Sequence, residues 1–267
     1  MNPTIPPILL VGLGKMGGAM LAGWRERGLS PSVAVDPMQP QAPGPEVTVV
    51  ATAAAIPAGF APSAVVLAVK PQNAAETVPL YARYRGSAVV LSIMAGRTIA
   101  GIRALMGDRA AIVRAMPNTP AAVRQGITVA CGGPGVTASQ RALCDTLLTA
   151  IGEVAWVDDE DLLDPVTAVS GGGPAYVFLL AELLEQAAIE QGIPADLARL
   201  MARQTVSGSG ALLAASSEDA AVLRRNVTSP GGTTQQALAV MMADDAWPRA
   251  ISRAIAAATA RSRELAG

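Results

Sequence analysis

The stretch Ile8-Leu9-Leu10-Val11-Gly12-Leu13-Gly14-Lys15-Met16-Gly17-Gly18-Ala19-Met20 decides the fold, because four apolar residues run directly into glycines at positions 12, 14 and 17. A helix-compatible run that extends to Arg27 follows these glycines. The pattern therefore predicts a buried strand, a tight turn and a helix, in that order.

Each glycine of this turn has an expected role in binding a dinucleotide. Gly12 would permit the sharp reversal, Gly14 would let the backbone approach a pyrophosphate, and Gly17 would let the helix close onto the strand. The N–H groups near Lys15 and Met16 would then face the phosphates with the positive end of the helix dipole. A glycine-rich turn in an α/β domain that binds another nucleotide, such as an adenosyl methyl donor, is the alternative.

A second apolar run, Ser32–Val35, ends in Asp36, an acid at about the interval expected for a ribose contact. An acid at this point hydrogen-bonds a free ribose diol and repels a 2′-phosphate. Between Arg27 and Lys70 the sequence has no lysine or arginine that could bind such a phosphate. We therefore expect NAD(P)H as cofactor, with NADH favoured over NADPH. The alternative is that Asp36 only forms a turn before Pro37.

Composition limits the class of protein. The 267 residues are 51% hydrophobic and 15% charged, which is typical of a well-buried globular chain of about two domains. A net charge of −1 gives no reason to expect nucleic acid or a membrane surface as partner. The start of the chain has no basic region before an apolar segment, and Cys131 and Cys144 are more simply two free thiols than a disulfide, so we expect a cytoplasmic protein.

Histidine is absent from the sequence, and Lys15 and Lys70 are its only lysines. Ser-His-Asp and Cys-His nucleophile systems and histidine metal sites are thereby excluded, and no catalytic lysine can come from the second half of the chain. Any chemistry must depend on a cofactor, on hydroxyls and carboxylates, and on backbone dipoles. We expect no metal.

The first half of the chain alternates between strand-like and helix-like segments, which predicts an α/β fold with a Rossmann-type doubly wound sheet. Strands are expected at Ala64–Val69, Ala88–Ser92, Ala111–Ala115, Ile127–Ala130 and Glu153–Val157, and helices at 73–85, 98–106 and 137–150. The segment Pro37–Glu46 holds four prolines and is expected to be a surface loop. We expect the dinucleotide-binding domain to cover 1–158 and an all-helical domain to cover 159–267.

The strand ends of this sheet supply further candidate cofactor contacts, because the carboxyl ends of parallel strands face the ligand crevice. They are Ala68, Val69 and Lys70 after one strand, Ala95 after the next, and Asn118 after a third. Lys70 could also be an ordinary solvated charge at a strand end. The loops that hold Ala95 and Asn118 could likewise be ordinary turns.

The second half has no strand-like segment. Ser170–Ala175 opens an apolar helix that runs to about Gln191 and leaves little polar face. Such a helix is buried either in its own domain or against a second subunit, and the short stretch of chain that is left to surround it favours a subunit interface. Further helices are expected at 194–215, 218–225 and 247–265. Between the last two lies Asn226–Gln235, which combines hydroxyls and paired glycines with a helix that begins near Gly232. Such a segment suits a small carboxylate, although Ser229-Pro230 could also be a plain helix start.

Taken together, these motifs resemble the pyrroline-5-carboxylate reductase family over nearly the whole chain. The resemblance is carried by Gly12–Gly17, Ala68–Pro71, Arg114–Pro120, Ser170–Tyr176 and, with the highest specificity, Val227–Thr234. It implies the reduction of 1-pyrroline-5-carboxylate to L-proline with NAD(P)H, the last step of proline biosynthesis. It also implies a Rossmann domain followed by an all-α dimerisation domain, in a homodimer that often joins a larger ring of dimers.

The resemblance implies roles for the residues of the 226–235 segment. The Thr234 hydroxyl would contact the ring nitrogen of the imine carboxylate. Ser229 and the amides of Gly232 and Thr233 would hold its carboxylate, with Gly231 in the same loop. A cyclic imine is readily protonated near neutral pH, so this reaction needs no strong acid from the enzyme.

Asn226, which begins this segment, and Glu218, which precedes it, complete the implied site. Asn226 would contact the nicotinamide side, and Glu218, which stands near an acid of the family, would help to close the site. A six-membered cyclic imine would need similar contacts, so both ring sizes stay open.

One feature departs from the family pattern, because many members prefer NADPH whereas Asp36 favours NADH.

Two other functions compete with the reductase. A β-hydroxyacid dehydrogenase shares a similar glycine turn, but that family uses a lysine on a helix of its second domain, and no lysine follows Lys70. A non-catalytic dinucleotide sensor would have no reason to carry the 226–235 segment.

Overall fold

The structure is a computed structural model that describes residues 5–38 and 41–266, with only the backbone described at Ala266. Two sequence expectations fall partly outside these residues. They are the absence of a secretory signal, which involves residues 1–4, and the surface loop Pro37–Glu46, which includes Gln39 and Pro40.

Eight strands form one sheet in the order β3-β2-β1-β4-β5-β6-β7-β8. They are β1 Ile8–Val11, β2 Ser32–Val35, β3 Val47–Val50, β4 Ala64–Leu67, β5 Val89–Ser92, β6 Ile112–Met116, β7 Gly126–Gly132 and β8 Gly152–Val157. In register, Leu10 of β1 lies opposite Ala34 of β2 and Val66 of β4. The strand order reverses beside β1, which is where open α/β sheets place their ligand crevice.

All neighbouring strands are parallel except β6 and β7, which are antiparallel. The two are joined by Pro117–Gln125, which holds only a short 3₁₀ turn, Thr119–Val123. A parallel pairing needs a longer crossover connection, usually a helix, so this short link requires the chain to reverse. The doubly wound fold class is confirmed, and the antiparallel β7 is a feature that the strand pattern did not reveal.

Ten helices accompany the sheet in the described residues. They are α1 Lys15–Glu26, α2 Ala74–Thr77, α3 Ile99–Met106, α4 Ala138–Thr149, α5 Leu163–Val166, α6 Gly173–Glu190, α7 Ala195–Ala215, α8 Ala220–Asn226, α9 Thr233–Met241 and α10 Trp247–Ala266. The single helix predicted over 73–85 is wrong, because α2 is continued by a 3₁₀ turn, Val78–Tyr84, that contains Pro79. Proline lacks the N–H that a continuous α-helix would need at this point.

Both faces of the sheet are covered, so the central strands are buried throughout. Leu10 belongs to a core on one face that includes Trp24 of α1 and Leu147 of α4, and the Trp24 Nε1–H donates to the Leu147 carbonyl at 2.8 Å. Leu9 points to the opposite core, which includes Ile102 of α3. This burial on both faces explains why the strands are continuous apolar runs.

The chain divides into two compact units, residues 1–171 with 258–267 and residues 172–257. The sheet lies in the first unit, and the second has only helices among its described residues. The domain boundary at 158/159 stays a prediction, since compactness divides the chain between Gly171 and Gly172.

The helices of the second unit leave apolar side chains exposed. Arg199 of α7 pairs with Glu185 of α6, Nε to Oε1 at 3.1 Å, and α6 has no buried residue. Exposed large apolar side chains on α6 and α7 are Val177, Phe178, Leu179, Leu183, Leu184, Ile189, Leu197, Leu200, Met201, Leu212 and Leu213. By length and composition, one helical stretch in the described residues, Glu160–Glu190, could also cross a membrane. In the described residues, these apolar side chains of α6 and α7 are therefore exposed.

Candidate active site

The three glycines of the turn after β1 have three different geometries. Gly12 has φ +99°, and a Cβ there would stand 2.7 Å from the Ala68 carbonyl oxygen. A Cβ on Gly17 would stand 2.1 Å from the Gly12 carbonyl oxygen, so α1 packs directly on the turn. Gly14 is different, because a Cβ there would meet no atom within 4 Å. The turn is therefore closed by the protein at Gly12 and Gly17 and open at Gly14.

The first turn of α1 is free to bind an anion. Gly14 is the N-cap, no side chain caps it, and the first turn has no acidic residue. The first helical hydrogen bond runs from Gly18 N–H to the Gly14 carbonyl at 2.8 Å, so the N–H groups of Lys15, Met16 and Gly17 precede the ladder. Lys15 is exposed beside them. Such a helix start binds phosphate groups well.

Asp36 is held firmly at the end of β2. Its Oδ2 accepts the Leu13 N–H at 2.7 Å, and its Oδ1 accepts the Met38 N–H at 2.8 Å. The carboxylate is thus tied to the glycine turn and to its own loop at once. Each oxygen keeps a second lone pair that could accept a ribose hydroxyl. Asp36 therefore both shapes the turn and keeps a negative charge beside it.

The end of β4 lies against the glycine turn. The Ala68 N–H donates to the Val11 carbonyl at 2.8 Å, Ala68 and Val69 are half-buried, and Lys70 is exposed. The Pro71 carbonyl accepts two bonds from Arg97, Nε at 3.1 Å and Nη2 at 2.8 Å. Arg97 therefore ties the loop after β5 to the loop that carries Lys70, a role that the sequence did not reveal.

Ala95 and Asn118 follow β5 and β6. Ala95 is exposed, and the adjacent Gly96 lies against the C-terminal end of α10, where a Cβ would stand 3.2 Å from the Leu265 carbonyl oxygen. Asn118 is 9% exposed, and both ends of its amide bond to backbone: Oδ1 accepts the Ile127 N–H at 3.0 Å, and Nδ2 donates to the Ser170 carbonyl at 3.2 Å. Asn118 thus holds its loop in place, and its contact with the cofactor stays a prediction.

Two polar pairs, one partly and one fully buried, were missed from the sequence. Arg114, 5% exposed on β6, donates from Nη1 to Glu160 Oε1 at 2.9 Å, and the same oxygen accepts the Ile99 N–H at 2.8 Å. Ser262 of α10 donates to Asp164 of α5 at 2.6 Å, and both residues are buried. The first pair could have been anticipated from the sequence, because Arg114 stands in the apolar run of β6 and a buried charge needs a partner.

The thiols offer no nucleophile. Cys131 and Cys144 are free and buried, which confirms the reading of two thiols. Burial raises the pKa of Cys144 to about 12 and also raises the pKa of Cys131, so both stay protonated near neutral pH. Among the described residues, no group of three or more carboxylates and cysteines is placed to hold a metal ion.

The other candidate residues lie in the second unit and fall into two groups. Asn226, at the end of α8, donates from Nδ2 to Glu218 Oε2 at 3.4 Å. Both are exposed, and the Glu218 N–H donates to the Ser216 hydroxyl oxygen at 3.1 Å. The structure thus brings Asn226 and Glu218 together.

The second group is the turn that leads into α9. The Gly232 N–H donates to the Ser229 carbonyl at 3.0 Å, so its contact with a carboxylate stays a prediction that requires this bond to be replaced. Gly232 is the N-cap of α9 and no side chain caps it, while the first helical bond is that of Gln236 N–H to the Gly232 carbonyl at 3.4 Å. The N–H groups of Thr233 and Thr234 precede this bond, and Ser229 and Thr234 are exposed. The turn therefore presents hydroxyls and uncapped amides together.

Comparison with known proteins finds relatives over nearly the whole chain. A family model described as pyrroline-5-carboxylate reductase dimerisation matches residues 160–265. The pyrroline-5-carboxylate reductase of Pseudomonas aeruginosa is 35% identical over 269 residues, which cover 98% of each chain. That of Synechocystis is 40% identical over 199 residues, which cover 74% of this chain and 73% of the relative.

Solved structures are similar over the same length. A pyrroline-5-carboxylate reductase from Coxiella burnetii has a TM-score of 0.89 at 31% identity and covers 97% of this chain and 98% of its own. A pyrroline carboxylate reductase from Plasmodium falciparum, solved with NADP bound, has a TM-score of 0.83 at 25% identity and covers 100% of both chains. The similarity thus includes the sheet, the glycine turn and the helical region.

Proposed function

This chain belongs to the pyrroline-5-carboxylate reductase family, and from that premise we propose how its residues divide the work of the family's reaction. It is an NAD(P)H-dependent oxidoreductase that reduces the carbon–nitrogen double bond of 1-pyrroline-5-carboxylate and yields L-proline. The observation that carries this conclusion is the 35% identity to a curated reductase over 98% of both chains.

The turn after β1 fits the dinucleotide. Gly14 has open space where a Cβ would be, and the first turn of α1 has neither a side-chain cap nor an acid. We propose that the N–H groups of Lys15, Met16 and Gly17 bind the pyrophosphate there. The bound cofactor supplies hydride from C4 of its nicotinamide ring. Because Ala95 and Lys70 lie at strand ends on the carboxyl side of the sheet, we propose that they contact the rest of the cofactor, together with Ala68 and Val69.

We propose NADH as the preferred cofactor. Asp36 keeps its carboxylate beside the turn through two backbone N–H bonds, so a 2′-phosphate at this place would meet a fixed negative charge. The described residues between Arg27 and Lys70 offer it no lysine or arginine in return. Comparing kcat/KM for NADH and NADPH tests the proposal.

The turn into α9 is proposed to bind the imine carboxylate. The exposed hydroxyl of Ser229 and the uncapped amides that begin α9 would hold the carboxylate. The Thr234 hydroxyl oxygen would accept a hydrogen bond from the N–H of the protonated imine and so orient the ring. Glu218 would fix the carboxamide of Asn226 through the bond between them. No strong acid is required, because the cyclic imine takes up its proton from water near neutral pH, which suits a chain without histidine.

The assay follows directly from these assignments. The protein is incubated with 1-pyrroline-5-carboxylate and NADH while the loss of nicotinamide absorbance and the formation of proline are measured. We expect the amount of proline formed to equal the amount of NADH consumed. A protein that binds NADH but forms no proline would instead be a dinucleotide sensor. A protein that forms no proline but reduces NAD⁺ when 3-hydroxy acids are supplied would be a dehydrogenase.

Thr234 is tested by Thr234→Val, which keeps the shape of the side chain and removes its hydroxyl. We expect kcat/KM for the imine to fall about 10-fold to 100-fold, as when one hydrogen bond to a charged group is lost, at unchanged Tm. Gln236→Ala on the same helix is the control. A Thr234→Val value within twofold of wild type would remove Thr234 from the mechanism.

The helical region is a dimerisation domain by its family match, so the protein is an oligomer. We propose a homodimer in the cytoplasm, in which the exposed apolar side chains of α6 and α7 pack against a second copy rather than a membrane, and which can join a larger ring of dimers. Light scattering after size-exclusion chromatography without detergent tests this. Aggregation that only detergent relieves would contradict it.

A further inference from the structure

The turn into α9 is not held in place by packing. Gly231 has φ +72°, and a Cβ there would meet no atom within 4 Å. Two hydrogen bonds hold the turn instead: the Gly232 N–H donates to the Ser229 carbonyl at 3.0 Å, and the Gly231 N–H donates to Gln235 Oε1 at 2.5 Å. The only side chain that donates or accepts a bond to the backbone between Ser229 and Gly232, among those described, is therefore that of Gln235.

The position of Gln235 in α9 explains why its side chain accepts the hydrogen bond from the Gly231 N–H. Counting from the N-cap Gly232, Gln235 is the third residue of α9, the position whose Glu or Gln side chain reaches back to the backbone in a capping box. The other half of a capping box is a Ser or Thr side chain at the N-cap, which would accept an N–H of the first turn. Glycine at 232 cannot do this. The turn is thus tied down while the N–H groups of Thr233 and Thr234 stay uncapped by side chains.

We propose that Gln235 is a positioning residue that holds the turn in the conformation that binds the substrate carboxylate, an inference that rests on the function proposed above. It acts through Gly231 and does not touch the reacting atoms. Its carboxamide oxygen is a neutral acceptor, so it fixes the turn without placing a negative charge beside a carboxylate ligand. A glutamate could make the same bond, but it would oppose that ligand.

The first test compares Gln235→Ala with Gln236→Ala, since Gln236 is an exposed glutamine next to it on the same helix. We expect Gln235→Ala to raise KM for 1-pyrroline-5-carboxylate about fivefold, the equivalent of about 1 kcal/mol, with KM for NADH and Tm unchanged. Gln236→Ala should match wild type. Equal KM values for the imine in the two variants would overturn the proposal, and so would a parallel loss of NADH binding and Tm in Gln235→Ala.

A second variant separates the bond from the charge. Gln235→Glu keeps an acceptor for the Gly231 N–H but adds a negative charge, so its KM for the imine should be raised at low salt and fall towards the wild-type value at high salt. The KM of Gln235→Ala should not depend on salt in this way. A Gln235→Glu enzyme with a wild-type KM at low salt would contradict the argument that a neutral oxygen is needed.

A measurement without substrate keeps this inference distinct from the proposed function. Hydrogen exchange of the Gly231 amide, followed by mass spectrometry on the full chain, should be faster in Gln235→Ala than in wild type and unchanged in Gln236→Ala. Unchanged exchange in Gln235→Ala would overturn the positioning role even in an active reductase. Faster exchange in a protein that does not reduce the imine would instead count against the proposed function alone.

Discussion

Two glycine-rich turns of this chain, Gly12–Gly17 and Ser229–Gly232, each lead into a helix whose first N–H groups have no side-chain cap. They reach this state in different ways. In the first turn, the protein itself fills the space around Gly12 and Gly17, with backbone oxygens 2.7 Å and 2.1 Å from the positions of a Cβ. In the second, Gly231 has open space around it, and hydrogen bonds alone fix the backbone.

The difference shows what each turn can tolerate. A turn held by packing belongs to the buried sheet, so any added atom must displace strand or helix backbone. A turn held by hydrogen bonds can lose its conformation through one side chain while the rest of the chain stays folded. Substitutions at Gly12 and Gly17 of the first turn should therefore affect stability, and those in the second turn should affect only the binding of the imine.

The packing of the first turn is tested most severely by Gly17→Ala, with Gly18→Ala as its matched control. The Cβ of Gly17→Ala would overlap the Gly12 carbonyl, so we expect a loss of about 3 kcal/mol or more in the free energy of unfolding. At Gly18 the nearest atom to a Cβ is the Leu13 carbonyl oxygen at 3.8 Å, and alanine in a helix should stabilise by about 0.5–1 kcal/mol. Denaturant unfolding measures both, and equal stability of the two variants would show that packing does not hold the turn.

Asp36 adds a charge to the first turn, and Asp36→Asn tests its effect on cofactor choice. The asparagine keeps the shape but has one acceptor oxygen for the two backbone N–H groups of Leu13 and Met38, and it carries no charge. We expect the preference for NADH over NADPH to fall about tenfold, equivalent to 1.4 kcal/mol. The measurement is the ratio of kcat/KM for the two cofactors. A wild-type enzyme that prefers NADPH would refute the role assigned to Asp36.

A smaller effect is expected where the turn Thr119–Val123 is tied to the end of α1. Arg124, with φ +62°, donates to both carboxylate oxygens of Glu26, at 2.9 Å and 2.6 Å, and this hydrogen bonding lowers the pKa of Glu26. A lowered folded-state pKa means that the stabilisation is present above the unfolded value near 4.5 and is lost as pH falls. Thermal unfolding of Arg124→Gln should therefore show a small deficit in Tm at pH 7 that shrinks towards pH 3. A deficit independent of pH would show that the ion pair is not its cause.

The features predicted correctly from sequence are local ones. The sharp turn at Gly12 and the close packing of α1 at Gly17 follow from a spacing of a few residues. The apolar runs of the central strands follow from burial on both faces. The α9 start was predicted near Gly232 for the same reason. In each case the residues that decide the structure stand next to one another in the chain.

The features that were missed depend on partners distant in sequence or on one bond. The bond of Asn118 to Ser170, and that of Arg114 to Glu160, join residues about 50 positions apart. The reversal of β7 depends on the conformation of a short link. Gln235 had a recognisable signal, a glutamine three residues after an N-cap, but only the structure reveals that its oxygen accepts the Gly231 N–H.

Gly14 offers the most direct test that the first turn is open to a ligand and closed to the protein. Its φ of −62° suits any residue, and a Cβ there meets no atom within 4 Å, so Gly14→Ala should fold with the Tm of wild type. Titration of this variant with NADH, followed by nicotinamide fluorescence, should give a Kd at least about tenfold above wild type, because the added methyl group would occupy the space of the pyrophosphate. A Kd within twofold of wild type would mean that the dinucleotide does not bind at this turn.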